Sequence, residues 1–127
     1  MSEHGEYIIT KDSAGNTLSG EKNYHLYLPP GIPASNFWSV IVYDNLTGLM
    51  IKTDQSWPSV FSSCKKLLIN QAGSVDVWFG PTAPAGKENN WIQTIPGKGW
   101  NMILRLYDPL ESWVNKTWKP GEIEEIK

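Results

Sequence analysis

Eleven glycines and nine prolines divide this chain of 127 residues into short pieces. That punctuation constrains the fold more than any other feature, because turn signals every ten residues or so leave room for strands and little for helices. A first strand is expected at Tyr7–Lys11, after a flexible tail of residues 1–6; residues 7–127 then form a single domain. The turn Asp12-Ser13-Ala14-Gly15-Asn16 follows, made of residues that suit tight and left-handed backbone. Asn23–Leu28 reads as a strand closed by Pro29-Pro30-Gly31. Phe37–Asp44 (FWSVIVYD) is apolar at almost every position, the pattern of a strand covered on both faces or nearly so. Leu49–Thr53 reads as its return arm, and Leu67–Asn70 and Val75–Phe79 flank another turn. Gly80–Asn90 is a long loop, and Trp91–Ile95 and Trp100–Asp108 read as a further hairpin across Pro96-Gly97-Lys98-Gly99. Only Leu110–Thr117 has helical character, with Asp108 to cap it and Pro109 in its first turn. The sum is about eight short strands and one short helix near the C-terminus. Without a helical layer such strands must bury their apolar faces against each other, which predicts an all-β, two-sheet, jelly-roll-like β-sandwich. The single cysteine, Cys64, argues against an immunoglobulin-type sandwich with its paired core cysteines.

Alternation assigns faces. In Trp100–Asp108 one face carries Trp100, Met102, Leu104 and Leu106, and the other Asn101, Ile103, Arg105 and Tyr107. Val75, Val77 and Phe79 oppose Asp76 and Trp78; Tyr24, Leu26 and Leu28 oppose His25 and Tyr27. One set is core. The other gathers His25, Tyr27, Asp76, Trp78, Arg105 and Tyr107, aromatics mixed with ionisable groups, and is the one constellation able to carry chemistry. As a ligand platform its rings stack on a flat apolar surface while Arg, Asp and His orient polar groups. As a plain solvent face it holds cross-strand Asp–Arg and aromatic pairs. As an interface it is buried against a partner domain. Arg105, in mid-strand, needs an acceptor, and Asp76 first and Asp44 second are the expected partners.

Composition and motifs exclude several classes. The chain is 40% hydrophobic and 19% charged, unlike a disordered tail, and its net charge of −2 does not suit nucleic-acid binding by phosphate neutralisation. No apolar run approaches the ~20 residues of a membrane span. Met1–Gly20 has no apolar signal-peptide core, so the chain as it stands is expected to be cytoplasmic. His4 and His25 are the only histidines, with no His-x-His or His-Glu-x-x-His spacing, which argues against a histidine-rich metal site; an all-carboxylate site stays open, but the acidic residues cluster at the two ends and read as solvated, and no metal or other cofactor is expected. No Gly-x-Ser-x-Gly elbow occurs, and a lone Cys64 reads as a buried apolar residue.

Three stretches in order, with Asp54-Gln55 and the Gly80-Pro81 loop between them, carry a resemblance. They are Phe37-Trp38-Ser39-Val40 with Val42-Tyr43-Asp44, Asn90-Trp91-Ile92-Gln93-Thr94 with Pro96-Gly97, and Leu104-Arg105-Leu106-Tyr107 with Pro109 and Trp118-Lys119-Pro120. From about Tyr7 to Lys127 the chain resembles the bacterial family catalogued as domain of unknown function 1214. The resemblance implies a jelly-roll-like β-sandwich, carried in relatives at the C-terminus of longer chains after domain of unknown function 1254, with many relatives exported. It implies no activity that can be placed on residues.

The reading that follows is a non-catalytic β-sandwich that associates, as a homodimer or with a missing N-terminal partner domain. One rival is part of an enzyme with a site around His25, Asp76 and Arg105. The other is a small-ligand or carbohydrate binder using Trp78, Tyr27 and Tyr107. Trp91, entering a strand after a polar loop, is expected as a lid on the open end of the sandwich, and Asn89 and Asn90 as ties for that loop.

Overall fold

The computed structural model of the chain describes residues 4–53, 55, 59–63, 65–109 and 118–126. Along them run eight strands: β1 (His4–Ile9), β2 (Asn23–Leu28), β3 (Ala34–Asp44), β4 (Ser59–Phe61), β5 (Val75–Gly80), β6 (Trp91–Gln93), β7 (Trp100–Pro109) and β8 (Ile123–Ile126). The 3-10 turn Glu88–Asn90 is the one helical element among the described residues. The helix expected at 110–117 and Cys64 lie outside them.

The strands build two four-stranded sheets, β1-β7-β3-β4 and β6-β5-β2-β8. Every pair is antiparallel except β5 with β6. The chain crosses between the sheets after β1, β2, β4, β6 and β7, which makes the sandwich jelly-roll-like. The inner faces are those that alternation assigned. Trp100, Met102, Leu104 and Leu106 on β7, Val75, Val77 and Phe79 on β5, and Tyr24, Leu26 and Leu28 on β2 are all buried in one cluster with Trp38, Val40 and Val42 of β3. Trp100 joins the two layers. It stacks on Phe79 at 4.8 Å between ring centroids and meets the edge of Tyr24 at 5.5 Å.

Several elements differ from the expectation, each for a local reason. β1 starts at His4, so residues 4–6, expected in the tail, pair with Tyr107, Leu106 and Arg105 of the long strand β7. Trp91–Gln93 is not a hairpin arm to β7 but pairs in parallel with β5 in the other sheet. The connection at 96–99 therefore carries the chain between sheets, with Gly97 at φ 85° in its turn and Gly20 packed so tightly under Ile95 that a Cβ would meet the Ile95 carbonyl. Leu67–Asn70 is no strand, because the side chain of Asn90 occupies its backbone: Leu68 N–H donates to Oδ1 at 2.8 Å and Nδ2 donates to the Leu68 carbonyl at 2.9 Å. Leu49–Thr53 does turn back along β3, the Asp44 N–H donating to the Leu49 carbonyl at 2.8 Å and the Ile51 N–H to the Val42 carbonyl at 3.3 Å, but it forms an isolated bridge, Tyr43 with Met50, rather than a full strand. In place of these two, β4 and β8 complete the count.

Asp44 closes β3 into its turn. Its Oδ1 accepts from the backbone N–H of Leu46 at 2.8 Å and of Thr47 at 3.4 Å, and Lys98 Nζ lies 3.5 Å from Oδ2. The Leu46 N–H, followed by the Thr47 N–H and Lys98, outweighs burial and holds the carboxyl below the usual aspartate range.

Two outcomes follow. Leu104→Ala, at a fully buried position in the centre of β7, should lower unfolding stability by roughly 2–5 kcal/mol in denaturant melts; an unchanged midpoint would remove Leu104 from the core. A carboxyl whose folded pKa is depressed stabilises the fold above its unfolded pKa and loses that contribution as pH falls through the folded value. Asp44→Asn should therefore melt below the parent at neutral pH, and the gap should close as pH drops beneath the ordinary aspartate pKa of about 3.9. A gap independent of pH would show that the charge of Asp44 contributes nothing.

Candidate functional site

The six residues singled out by alternation do point away from the core, but from two different sheets. His25, Tyr27, Asp76 and Trp78 lie on the outer face of β2 and β5, while Arg105 and Tyr107 lie on the outer face of β7. The two outer faces look in opposite directions, with sheets roughly 10 Å apart between them. His25, Asp76 and Arg105 therefore cannot meet one substrate, and Tyr107 cannot join Trp78 and Tyr27.

On the second sheet the register sets side chains in rows. Trp78 is opposite Trp91 on β6 and opposite His25 on β2, and His25 is opposite Glu124 on β8. Trp91, Trp78, His25 and Glu124 thus form one line across four strands. Asp76 and Tyr27 form the next line. His25 Nε2 lies 2.7 Å from Asp76 Oδ1, and Asn70 Nδ2 donates to Asp76 Oδ2 at 3.0 Å. An ionised carboxylate only accepts, so the imidazole donates from Nε2 and, in the neutral ring, keeps Nδ1 as an acceptor. The His25 ring lies 5.4 Å from that of Trp78, and Lys87 Nζ sits 5.3 Å from the Trp78 ring centroid. Trp91 is half-buried on this face, its Nε1–H donating to the Gly80 carbonyl at 3.0 Å, rather than a lid on the end of the sandwich. Asn90 does tie the preceding loop, through Leu68 and through Nδ2 to the Asp76 carbonyl at 2.8 Å. No serine, threonine or cysteine side chain bonds to His25 among the described residues, so the His25–Asp76 pair has no nucleophile to activate there.

The first sheet presents a different surface. Phe37, Ser39 and Ile41 on β3, Ser59 and Phe61 on β4, Tyr107 on β7, and Met50 and Ser63 line a groove of about 310 Å³. Phe37 stands between Tyr107 and Phe61, at 5.4 and 6.2 Å, and the small, buried Ser39 forms the floor. Of these residues only Tyr107 was singled out from the sequence. The signal was present in FWSVIVYD, whose outward positions 37 and 41 are apolar where a solvated face would be polar. Arg105, beside the groove, pairs with neither Asp76 nor Asp44. Its Nε donates to Glu6 Oε2 on the neighbouring strand β1 at 3.2 Å, because β1 and not β5 is the strand next to β7. Burial disfavours its charge, but Tyr43, Glu6 and Tyr107 outweigh that and raise its pKa. Gln55 was not singled out for a role either. Its amide takes the place of a strand beside β6, donating to the Trp91 carbonyl at 3.0 Å and accepting from Gln93 N–H at 2.7 Å. Among the described residues no group of three or more His, Cys, Asp or Glu is placed to hold a metal ion.

Comparisons with solved structures agree with this architecture. The VPA0106 protein from Vibrio parahaemolyticus superposes with a TM-score of 0.82 at 23% sequence identity, over 98% of this chain and 31% of that one. An uncharacterized protein from Burkholderia cenocepacia superposes with a TM-score of 0.54 at 19% identity, over 98% of this chain and 29% of that one. Likeness at these identities shows the fold alone, and the chain spans about a third of the length of either relative. No curated protein matches it. The family model described as Protein of unknown function (DUF1214) matches residues 3–111, most of the β-sandwich, and the chain belongs to that family.

Proposed function

We propose that this chain is a non-catalytic association module, whose outer β7–β3–β4 face packs on a companion domain of the kind that fills the rest of the longer related chains. The observation that carries this reading is the groove over Ser39, walled by Phe37, Phe61, Ile41, Met50 and Tyr107. A sheet face evolved for water would not set one aromatic ring, Phe37, within 6.2 Å of two others, Phe61 and Tyr107, around a small residue. An apolar patch with charge beside it, here the exposed Arg105–Glu6 pair, is the anatomy of an interface core and its rim. Aromatic anchors in such a patch carry most of the binding energy, commonly 2 kcal/mol or more each. Length supports this occupant. Related chains of this fold are about three times as long, and their other two-thirds needs a surface to pack on.

A chimera tests this. The chain replaces the matching third of the Vibrio parahaemolyticus protein, and unfolding is followed by calorimetry. One cooperative transition is expected, which Phe61→Asp splits into two while costing the isolated 127-residue chain only about 1 kcal/mol. Two independent transitions in the unmutated chimera would sink the reading. Sedimentation of the isolated chain supplies the other arm, since a dimer abolished by Phe61→Asp would assign the face to a second copy instead of a companion domain.

A further inference from the structure

The opposite face carries a separate inference that does not rest on the association reading. We propose that the outer face of the β6-β5-β2-β8 sheet is a binding site for a neutral oligosaccharide, with Trp78 and Trp91 as its stacking platform and Asp76 and His25 as its hydroxyl-reading groups.

The register supplies the shape. Trp91, Trp78, His25 and Glu124 occupy one line across four strands, a row roughly 14 Å long at the usual interstrand spacing of ~4.8 Å. Both tryptophans are half-buried, so each indole is held in place while part of its surface faces solvent. Flat apolar rings of this kind suit the C–H faces of sugar rings.

Hydroxyl groups need donors and acceptors set in advance, and the adjoining line provides them. Asp76 is clamped from two sides, by His25 Nε2 at 2.7 Å and by Asn70 Nδ2 at 3.0 Å. Each of its oxygens retains a second lone pair, so the carboxylate is an oriented acceptor for a pair of neighbouring hydroxyls. In its neutral form His25 adds an acceptor at Nδ1, and the exposed Tyr27, opposite Asp76, adds a phenol that both donates and accepts. A carboxylate already fixed by its own neighbours loses little freedom on binding, which favours affinity for a polar ligand.

Charge selects the ligand class. Asp76 and Glu124 on the same face repel an anionic ligand. An organic cation would seek the face of an indole, but Lys87 Nζ already sits 5.3 Å from the Trp78 ring centroid and would repel it. A neutral ligand with many hydroxyls meets neither obstacle, and needs only to move the flexible lysine aside. That displacement makes the proposal distinguishable from a purely structural aromatic pair, for which Lys87 has no reason to oppose ligand.

The test is tryptophan fluorescence and array binding of the whole chain. Probes are neutral gluco-, galacto-, manno- and N-acetylglucosamine oligomers, with sulfated and sialylated glycans and choline as charged arms. Binding to a neutral oligomer is expected. Trp78→Phe, which keeps a ring for the fold, and Asp76→Asn should each weaken it about tenfold. Lys87→Ala should strengthen it about threefold by uncovering the indole. Leu46→Ser, in the exposed turn after β3, should leave it unchanged, and melting curves of each variant confirm folding. Absence of binding to every neutral probe overturns the proposal. So does binding indifferent to both Trp78→Phe and Asp76→Asn, or tighter binding of choline or of an anionic glycan.

Discussion

The sandwich depends on one indole. Trp100 begins β7 in the first sheet and reaches Phe79 and Tyr24 of the second, stacked on one and edge-on to the other. All three are fully buried or within 1% of it. The position has a cost, since Trp100 Nε1–H finds no acceptor among the described residues, a loss of about 1–3 kcal/mol for a buried donor. Burying a side chain of this size removes up to ~250 Å² from water, worth about 6 kcal/mol at the usual coefficient, and the two ring contacts add roughly 1–3 kcal/mol more. The apolar gain therefore exceeds the polar loss. It is also what joins the two sheets across their buried inner faces.

Side-chain amides take over where the backbone ladders stop. β6 is three residues long and lies at an edge, and Gln55 satisfies its free Trp91 carbonyl and Gln93 N–H. Asn90, 1% exposed, does the same for both backbone groups of Leu68 and also reaches the Asp76 carbonyl behind the polar face. A buried backbone group left unpaired would cost about as much as the Trp100 donor does. The amides thereby keep the loop at 81–90 pressed against β5, and that loop brings Lys87 over Trp78. The polar face is in this sense assembled by two side chains that never enter it.

The two outer faces differ because the sheets draw on different strands. β3 alone supplies Phe37, Ser39 and Ile41 to the first, and neighbouring strands supply Phe61 and Tyr107, so that face is apolar with a small-residue floor. β2, β5 and β8 supply His25, Asp76 and Glu124 to the second, so there rings alternate with acceptors and a bonded pair. The charge next to the apolar groove, Arg105 with Glu6, is about one-third exposed on each partner and worth at most ~1 kcal/mol. It marks an edge more than it holds one.

Much of this was written in the chain itself. Period-two alternation states which side chains of a strand share a face, and at Leu104, Leu106, Val77, Phe79 and Leu26 it named the core correctly. The density of glycine and proline determined that the elements would be short strands. Short strands escaped when a partner residue decided their state. Ile123–Ile126 carries two glutamates yet pairs with β2, whereas apolar Leu67–Asn70 pairs with an asparagine side chain. Only the tertiary structure decided that Arg105 and Tyr107 look one way while His25, Tyr27, Asp76 and Trp78 look the other. Alternation says that a residue is outside, but a sandwich has two outsides. Which one a strand faces is set by its partners, and those lie far off in sequence: β1 pairs with β7 at Glu6 and Arg105, and β2 with β5 at His25 and Trp78. Such pairings are chosen by the whole set of strands competing to bury their inner faces at once, and no local pattern records the outcome.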